Sequence, residues 1–205
     1  MDELKSQKDI GLERLIFFSD AVFAIAITLL ALEIRLPDTD ELLTDSQLAR
    51  QLFGMWHEYM AYMVSFLVIG TFWIAHHRKF RLIKRYDGGL LSLNLLFLMV
   101  VAFIPFPSSI ISKYPYRSAT IFYALTMLLV GLLMLLMWWY ASMKNHLVDP
   151  QLTARQKQRQ FISPLITSII FLLSIGIAYW NPGIARLSWL LILFAAWSAN
   201  RKMDI

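Results

Sequence analysis

Asp20 is the residue in this 205-residue chain that most needs a chemical account. It stands in an apolar run, Leu15 to Ile34, interrupted only by Ser19, Asp20, Thr28 and Glu33. An ionised carboxylate at the centre of a membrane helix costs roughly 2.5–3.5 kcal/mol on insertion scales, so it must face protein or water. At 1.5 Å per residue Asp20 lies about 9 Å beyond the start of its run, too deep for so short a side chain to reach bulk water. Partners are available at the same depth: His76-His77-Arg78 close the second apolar run, and Asn94 stands just inside the third. A polar knot of Asp20 and Ser19 with His77 or His76 and Asn94, joined by Arg14 from the helix base, satisfies all of them. Such a knot fixes helix packing. A histidine beside a carboxylate also makes proton-dependent gating or a proton relay chemically available.

The same helix carries a second surface. At about 100° per residue, Ala21, Ile25, Thr28, Leu29 and Leu32 fall on one apolar stripe bearing a single hydroxyl. Ala24 and Ala31 lie on the edge nearer Asp20, where small residues admit a close neighbouring helix. Spacing alone leaves three meanings open for the stripe: lipid-facing, buried core, or the lining of a pore.

The elements that must position these groups are membrane helices. The composition is 58% hydrophobic and 16% charged, against about 25% charged in an ordinary soluble domain. A helix needs about 20 mostly apolar residues to cross the hydrocarbon. Six stretches approach this, near 15–34, 55–75, 89–111, 118–140, 162–180 and 184–199. Pro105 and Pro107 stand near the end of the third span, and Pro164 opens the fifth, where a first turn has no hydrogen bond to lose. The polar stretch from Thr153 to Gln160 continues a helix beyond the lipid. The first apolar run is too long for a signal peptide, so it is expected to stay. No loop is long enough for a separate core, so residues 1–205 read as a single six-helix domain. The fold class expected is all-α and polytopic.

Orientation follows from Lys and Arg, which cytoplasmic loops accumulate. Fourteen of the nineteen lie on one side: Lys5, Lys8 and Arg14; Arg78, Lys79, Arg81, Lys84 and Arg85; Lys144, Arg155, Lys157 and Arg159; Arg201 and Lys202. Both termini are therefore expected in the cytoplasm, and the chain in the plasma membrane. The first outer loop is acidic, with Asp38, Asp40, Glu41 and Asp45. It either attracts cations electrostatically or is merely solvated charge. Trp56, Tyr59, Trp138, Trp139, Tyr140, Trp180 and Trp189 read as interfacial anchors.

The run Arg14-Leu-Ile-Phe-Phe18-Ser19-Asp20-Ala-Val-Phe-Ala-Ile25-Ala-Ile-Thr28-Leu29-Leu30 resembles the RxxxFSD opening of the endosomal and lysosomal potassium channel family known as transmembrane protein 175. The resemblance extends through Trp73-Ile-Ala-His76-His77-Arg78-Lys79-Phe80, through Asn94-Leu-Leu-Phe-Leu, and to Pro105-Phe106-Pro107. It covers the first half of the chain, and one unduplicated repeat resembles the bacterial members. It implies a homotetramer in the lipid bilayer whose four first helices line a central pore for potassium and other monovalent cations. It also implies a hydrophobic constriction at Ile25, further rings at Leu29 and Leu32, and Thr28 in the layer that selects potassium. Arg14, Phe18, Ser19, Asp20, His77 and Asn94 then form the structural network that braces the first helix. No cofactor and no nucleic acid are implied.

Rival readings have weaker support. Asp20 and His77 would serve a proton-coupled secondary transporter, but such proteins show helices broken at the midplane, and here prolines fall only at a helix end. Arg78, Arg81 and Lys84 at every third position suggest a voltage sensor, yet read better as positive-inside charge. His57-Glu58 begins a zinc-protease motif that lacks its second histidine, and adjacent His76 and His77 diverge by about 100°. No enzymatic centre is expected.

Overall fold

The structure, a computed structural model, describes residues 2–36, 42–143 and 147–192, with side chains from Ile10 onward. Among these residues all regular elements are helices, apart from one isolated antiparallel bridge between Ile83 and Val148. The helices are α1 (Asp2–Leu32), α2 (Asp45–Gly54), α3 (Trp56–Leu82), α4 (Gly88–Phe103), α5 (Pro105–Lys113), α6 (Arg117–Met143), α7 (Ala154–Ala178) and α8 (Pro182–Ser188). Five stretches are long and apolar enough to cross a membrane: Ile10–Leu32, Trp56–Leu82, Gly88–Lys113, Arg117–Met143 and Ala154–Ala178. The chain is a multi-pass membrane protein. A shorter apolar helix, Pro182–Ile192, begins where the sixth span is expected, and the rest of that span lies outside the described residues. So do Asp38, Asp40, Glu41, Lys144, Arg201 and Lys202; Asp45 opens α2 instead of lying in a loop.

Two expectations about proline change. The third span is not one helix, because α4 ends at Phe103 and α5 begins at Pro105, with Ile104 between them. Pro105 has no N–H to continue the ladder, so the chain restarts there with proline in a first turn. Pro164 does not open a helix: it lies inside α7, ten residues after Ala154. That helix starts earlier because Thr153 and Gln156 form a capping box, with Gln156 N–H donating to Thr153 Oγ1 at 3.3 Å and Thr153 N–H to Gln156 Oε1 at 2.9 Å. Residues 154–160 are thus helical overhang.

Between lipid-solvated helices apolar contact adds little driving force, and close packing decides which faces meet. One cluster joins Phe23, Ala26 and Leu30 of α1 to Val68, Ile69 and Phe72 of α3 and to Phe97 and Val101 of α4, and reaches Tyr123, Met127 and Val130 of α6. A second cluster, nearer the N-terminal side, holds Leu15, Phe80, Leu90, Met137, Trp138 and Val148. Helix α6 passes through both, and α7 presses on it at Gly131. A Cβ there would collide with Ser168 Oγ, so glycine permits the approach. Trp138 is fully buried, its Nε1 donating to the Lys157 carbonyl at 2.9 Å, and Trp189 is 3% exposed. Both are core residues and not interfacial anchors. Tyr140 donates to both carboxylate oxygens of Asp87, at 3.2 and 3.0 Å, while Asp87 accepts from Leu90 N–H and caps α4.

The two loops on the N-terminal side are stitched together. Lys84 and Arg85 N–H donate to the Leu147 carbonyl at 2.8 and 3.1 Å, and Asp149 N–H donates to the Leu82 carbonyl at 2.9 Å. Arg78, Lys79 and Arg81, expected in the first of these loops, belong instead to the last turns of α3.

Candidate functional site

The polar groups near the middle of α1 divide into two separate pairings. The buried Ser19 Oγ donates to its own helix at the Leu15 carbonyl, 2.8 Å away, and accepts from Asn94 Nδ2 at 2.9 Å. Asn94 Oδ1 meets His76 Nε2 at 2.9 Å. With the amide nitrogen committed to Ser19, its oxygen must accept, so His76 donates from Nε2. The imidazole is held flat between Phe80 and Phe97, with ring centroids at 4.3 and 5.5 Å and interplanar angles of 26° and 6°. Its Nδ1 is buried and has no partner among the described residues. α1, α3 and α4 are thereby joined through one asparagine.

Asp20 belongs to the other pairing. Its Oδ1 accepts from Trp73 Nε1 at 2.8 Å. The carboxylate and a histidine do not form the expected pair: His77 packs its ring 5.8 Å from that of Trp73, and its Nδ1 is buried with no partner among the described residues. His76 takes the place beside Asn94 that either histidine had been expected to fill. Trp73 entered the sequence reading only as part of a motif. A tryptophan N–H meets the carboxylate without bringing a charge.

Arg14 is not in either pairing. It is exposed, and with Phe18, which is 50% exposed, it continues the face that carries Ala21, Ile25, Thr28, Leu29 and Leu32. Along this face Ile25 is 58% exposed, Leu29 40% and Leu32 63%, whereas Phe23, Ala26 and Leu30 on the opposite face are 2% exposed or less. The chain's other helices therefore cover one side of α1 and leave the stripe bare. The Thr28 hydroxyl donates to the Ile25 carbonyl at 2.9 Å, so its oxygen lone pairs are the groups left to face outward. Ala24 and Ala31 are also exposed, flanking the stripe.

A polar cluster missing from the sequence reading lies in the other half of the bundle. Ser108 Oγ, on the segment restarted after the break, donates to Ser65 Oγ at 2.9 Å, and Ser65 lies 3.1 Å from Tyr123 Oη. All three are buried. Isolated serines in apolar spans carry little signal alone. The break at Ile104 would have pointed to them, since a displaced segment needs new polar contacts.

The family match spans the α1, α3 and α4 groups of the first two pairings. The family described as endosomal/lysosomal potassium channel TMEM175 matches residues 14–105. A protein of Streptomyces collinus named a potassium channel is 39% identical over 79% of this chain and 80% of its own length. The crystal structure of a lysosomal potassium-selective channel TMEM175 homolog from Chamaesiphon minutus superposes with a TM-score of 0.80, at 28% identity, over 93% of this chain and 98% of that one. The human endosomal/lysosomal proton channel TMEM175 is 28% identical over 68% of this chain, which spans 28% of that protein. These relatives are ion channels rather than enzymes. From the Arg14-to-Pro105 core outward, the chain belongs to the TMEM175 family.

Proposed function

We propose that four copies of this chain assemble around a central axis, each contributing the bare stripe of α1 to a potassium-permeable, modestly selective cation pore. The observation that carries the reading is the asymmetry of α1: its Phe23, Ala26 and Leu30 face is sealed inside the subunit, and its Ile25, Leu29 and Leu32 face is left open. A stripe with one hydroxyl and a charge at its base is poorly suited to lipid alone, and well suited to meet its own copies. In this arrangement residues 1–205 form one channel domain with six spans, the last beginning at Pro182. It lies in the plasma membrane with both termini cytoplasmic, as the Lys and Arg distribution supports.

Four Ile25 side chains make an apolar ring, which closes a pore by expelling water. An apolar ring offers no oxygen in exchange for an ion's hydration shell, so selectivity is modest and depends on how much of the shell is shed. Thr28 is the side chain on the stripe that supplies an oxygen. Its proton already points to the Ile25 carbonyl, which leaves the oxygen free to accept a cation. Ser19, Asn94 and His76, with Asp20 and Trp73, brace α1 from behind and hold the stripe in register.

The test is the reversal potential of the purified protein in planar bilayers under a potassium/sodium bi-ionic gradient. A passive current reversing on the potassium side is expected. Absence of current, with substrate-coupled proton flux into vesicles, would overturn the pore and favour a proton-coupled transporter, a reading made unattractive by Asp20 bonding Trp73 instead of His77.

A further inference from the structure

On the membrane side opposite the N-terminus, where α3 begins and α8 begins, the bundle forms an open-sided cavity of about 380 Å³. That falls within the 300–1,000 Å³ typical of small-molecule sites. Met60 and Val64 of α3 face Leu187 and Leu190 across it. Its polar groups are few and unevenly placed. Arg186 sits in the wall, half-buried, with Nε donating to the Pro182 carbonyl at 3.3 Å. No carboxylate is paired with its guanidinium among the described residues. Trp189, 3% exposed and stacked on Tyr123 at 4.6 Å, also lines the cavity, and its indole N–H has no acceptor among the described residues. A buried donor left unpaired costs about 1–3 kcal/mol, and a half-buried guanidinium one turn into α8, with no carboxylate partner among the described residues, is available to an anion at the membrane surface.

We propose that this cavity is a lipid site that takes one acyl chain of an anionic phospholipid, with the phosphate on the Arg186 guanidinium. The apolar walls suit a hydrocarbon chain and nothing strongly solvated. Arginine's planar fork matches phosphate oxygens in two parallel hydrogen bonds. Trp56 and His57, ring on ring at 3.7 Å, stand at the rim where a headgroup leaves the hydrocarbon. The proposal needs the chain to sit in a bilayer and does not depend on what passes through the assembly.

The test is native mass spectrometry of the full-length protein, stripped in detergent and titrated with phosphatidylglycerol or phosphatidylcholine of identical acyl chains. One phosphatidylglycerol per subunit is expected to bind about tenfold more tightly than phosphatidylcholine, whose choline cation competes with Arg186 for the phosphate and cancels the headgroup's net charge. Arg186→Gln should equalise the two headgroups, and Ala61→Phe, which fills the cavity from α3, should weaken both. Leu190→Phe fills it from the other wall if the first variant fails to fold. Equal retention of the two lipids by the wild-type protein would overturn the anionic headgroup at Arg186, and wild-type binding by both filled variants would overturn the site.

Discussion

The indole of Trp73 donates to the carboxylate of Asp20 across 2.8 Å, so the half-buried acid of the first helix is answered by a neutral donor on α3. Trp73→Phe keeps the ring and removes that donor. It is expected to lower stability by about 1–3 kcal/mol. Asp20→Asn, which keeps an acceptor oxygen, should cost less, and Asp20→Ala should cost assembly as well. Thermal unfolding and size-exclusion profiles in detergent rank the three; equal stability of Asp20→Asn and Asp20→Ala would show that the hydrogen bond is not what matters.

Asn94 is bonded on both sides, to Ser19 and to His76. Asn94→Ala therefore strands the histidine Nε2 and is expected to cost about 2–4 kcal/mol, from an unmet buried donor and the cavity left behind. Ser19→Ala should cost less, since it leaves one Asn94 donor unmet and keeps His76 paired. A double-mutant cycle on unfolding midpoints measures the coupling between them, expected between about 0.5 and 3 kcal/mol; strict additivity would contradict the network.

Gly131 lets α6 and α7 touch, because an added Cβ would meet Ser168 Oγ while Ser168 Cβ stays at 3.5 Å. Gly131→Ala is expected to destabilise by about 1–3 kcal/mol through overpacking. Ser168→Ala removes the colliding atom, so the double variant should recover most of that loss. Failure of the rescue would place the strain in the backbone instead.

Within the pore reading, Ile25→Asn places four amides where water is otherwise excluded. Larger single-channel conductance and increased sodium permeability are expected in bilayers, and unchanged currents would remove Ile25 from the ion path. Thr28→Ala takes away the hydroxyl oxygen and should reduce potassium preference while leaving an open pore.

The long helices and the depth match between Asp20, His76 and Asn94 were legible because hydrophobic run length and membrane crossing order are one-dimensional properties. The choice between His76 and His77 was not. Adjacent residues point about 100° apart, and only the packing of Phe80 and Phe97 decides which ring turns inward. Trp73 was missed because tryptophan is as common at the interface as in a hydrogen bond, and Trp138 and Trp189 were misplaced for the same reason. Lys79, counted as loop charge, is 1% exposed inside α3, since charge counts say nothing about where a helix ends. Pro164 misled because the Thr153 and Gln156 capping box lies in polar sequence that hydropathy ignores.

The backbone bonds of Lys84, Arg85 and Asp149 give the N-terminal side of the bundle a clasp that owes nothing to lipid. The turn after α3 and the turn before α7 are fastened by amides, and in a polar headgroup layer such amides would otherwise trade protons with water freely. Slow deuterium uptake at these three positions, against fast uptake at exposed neighbours such as Tyr86, is what the clasp entails. The lower ends of α3 and α7 then travel together, and a displacement of either reaches the other through the peptide chain itself.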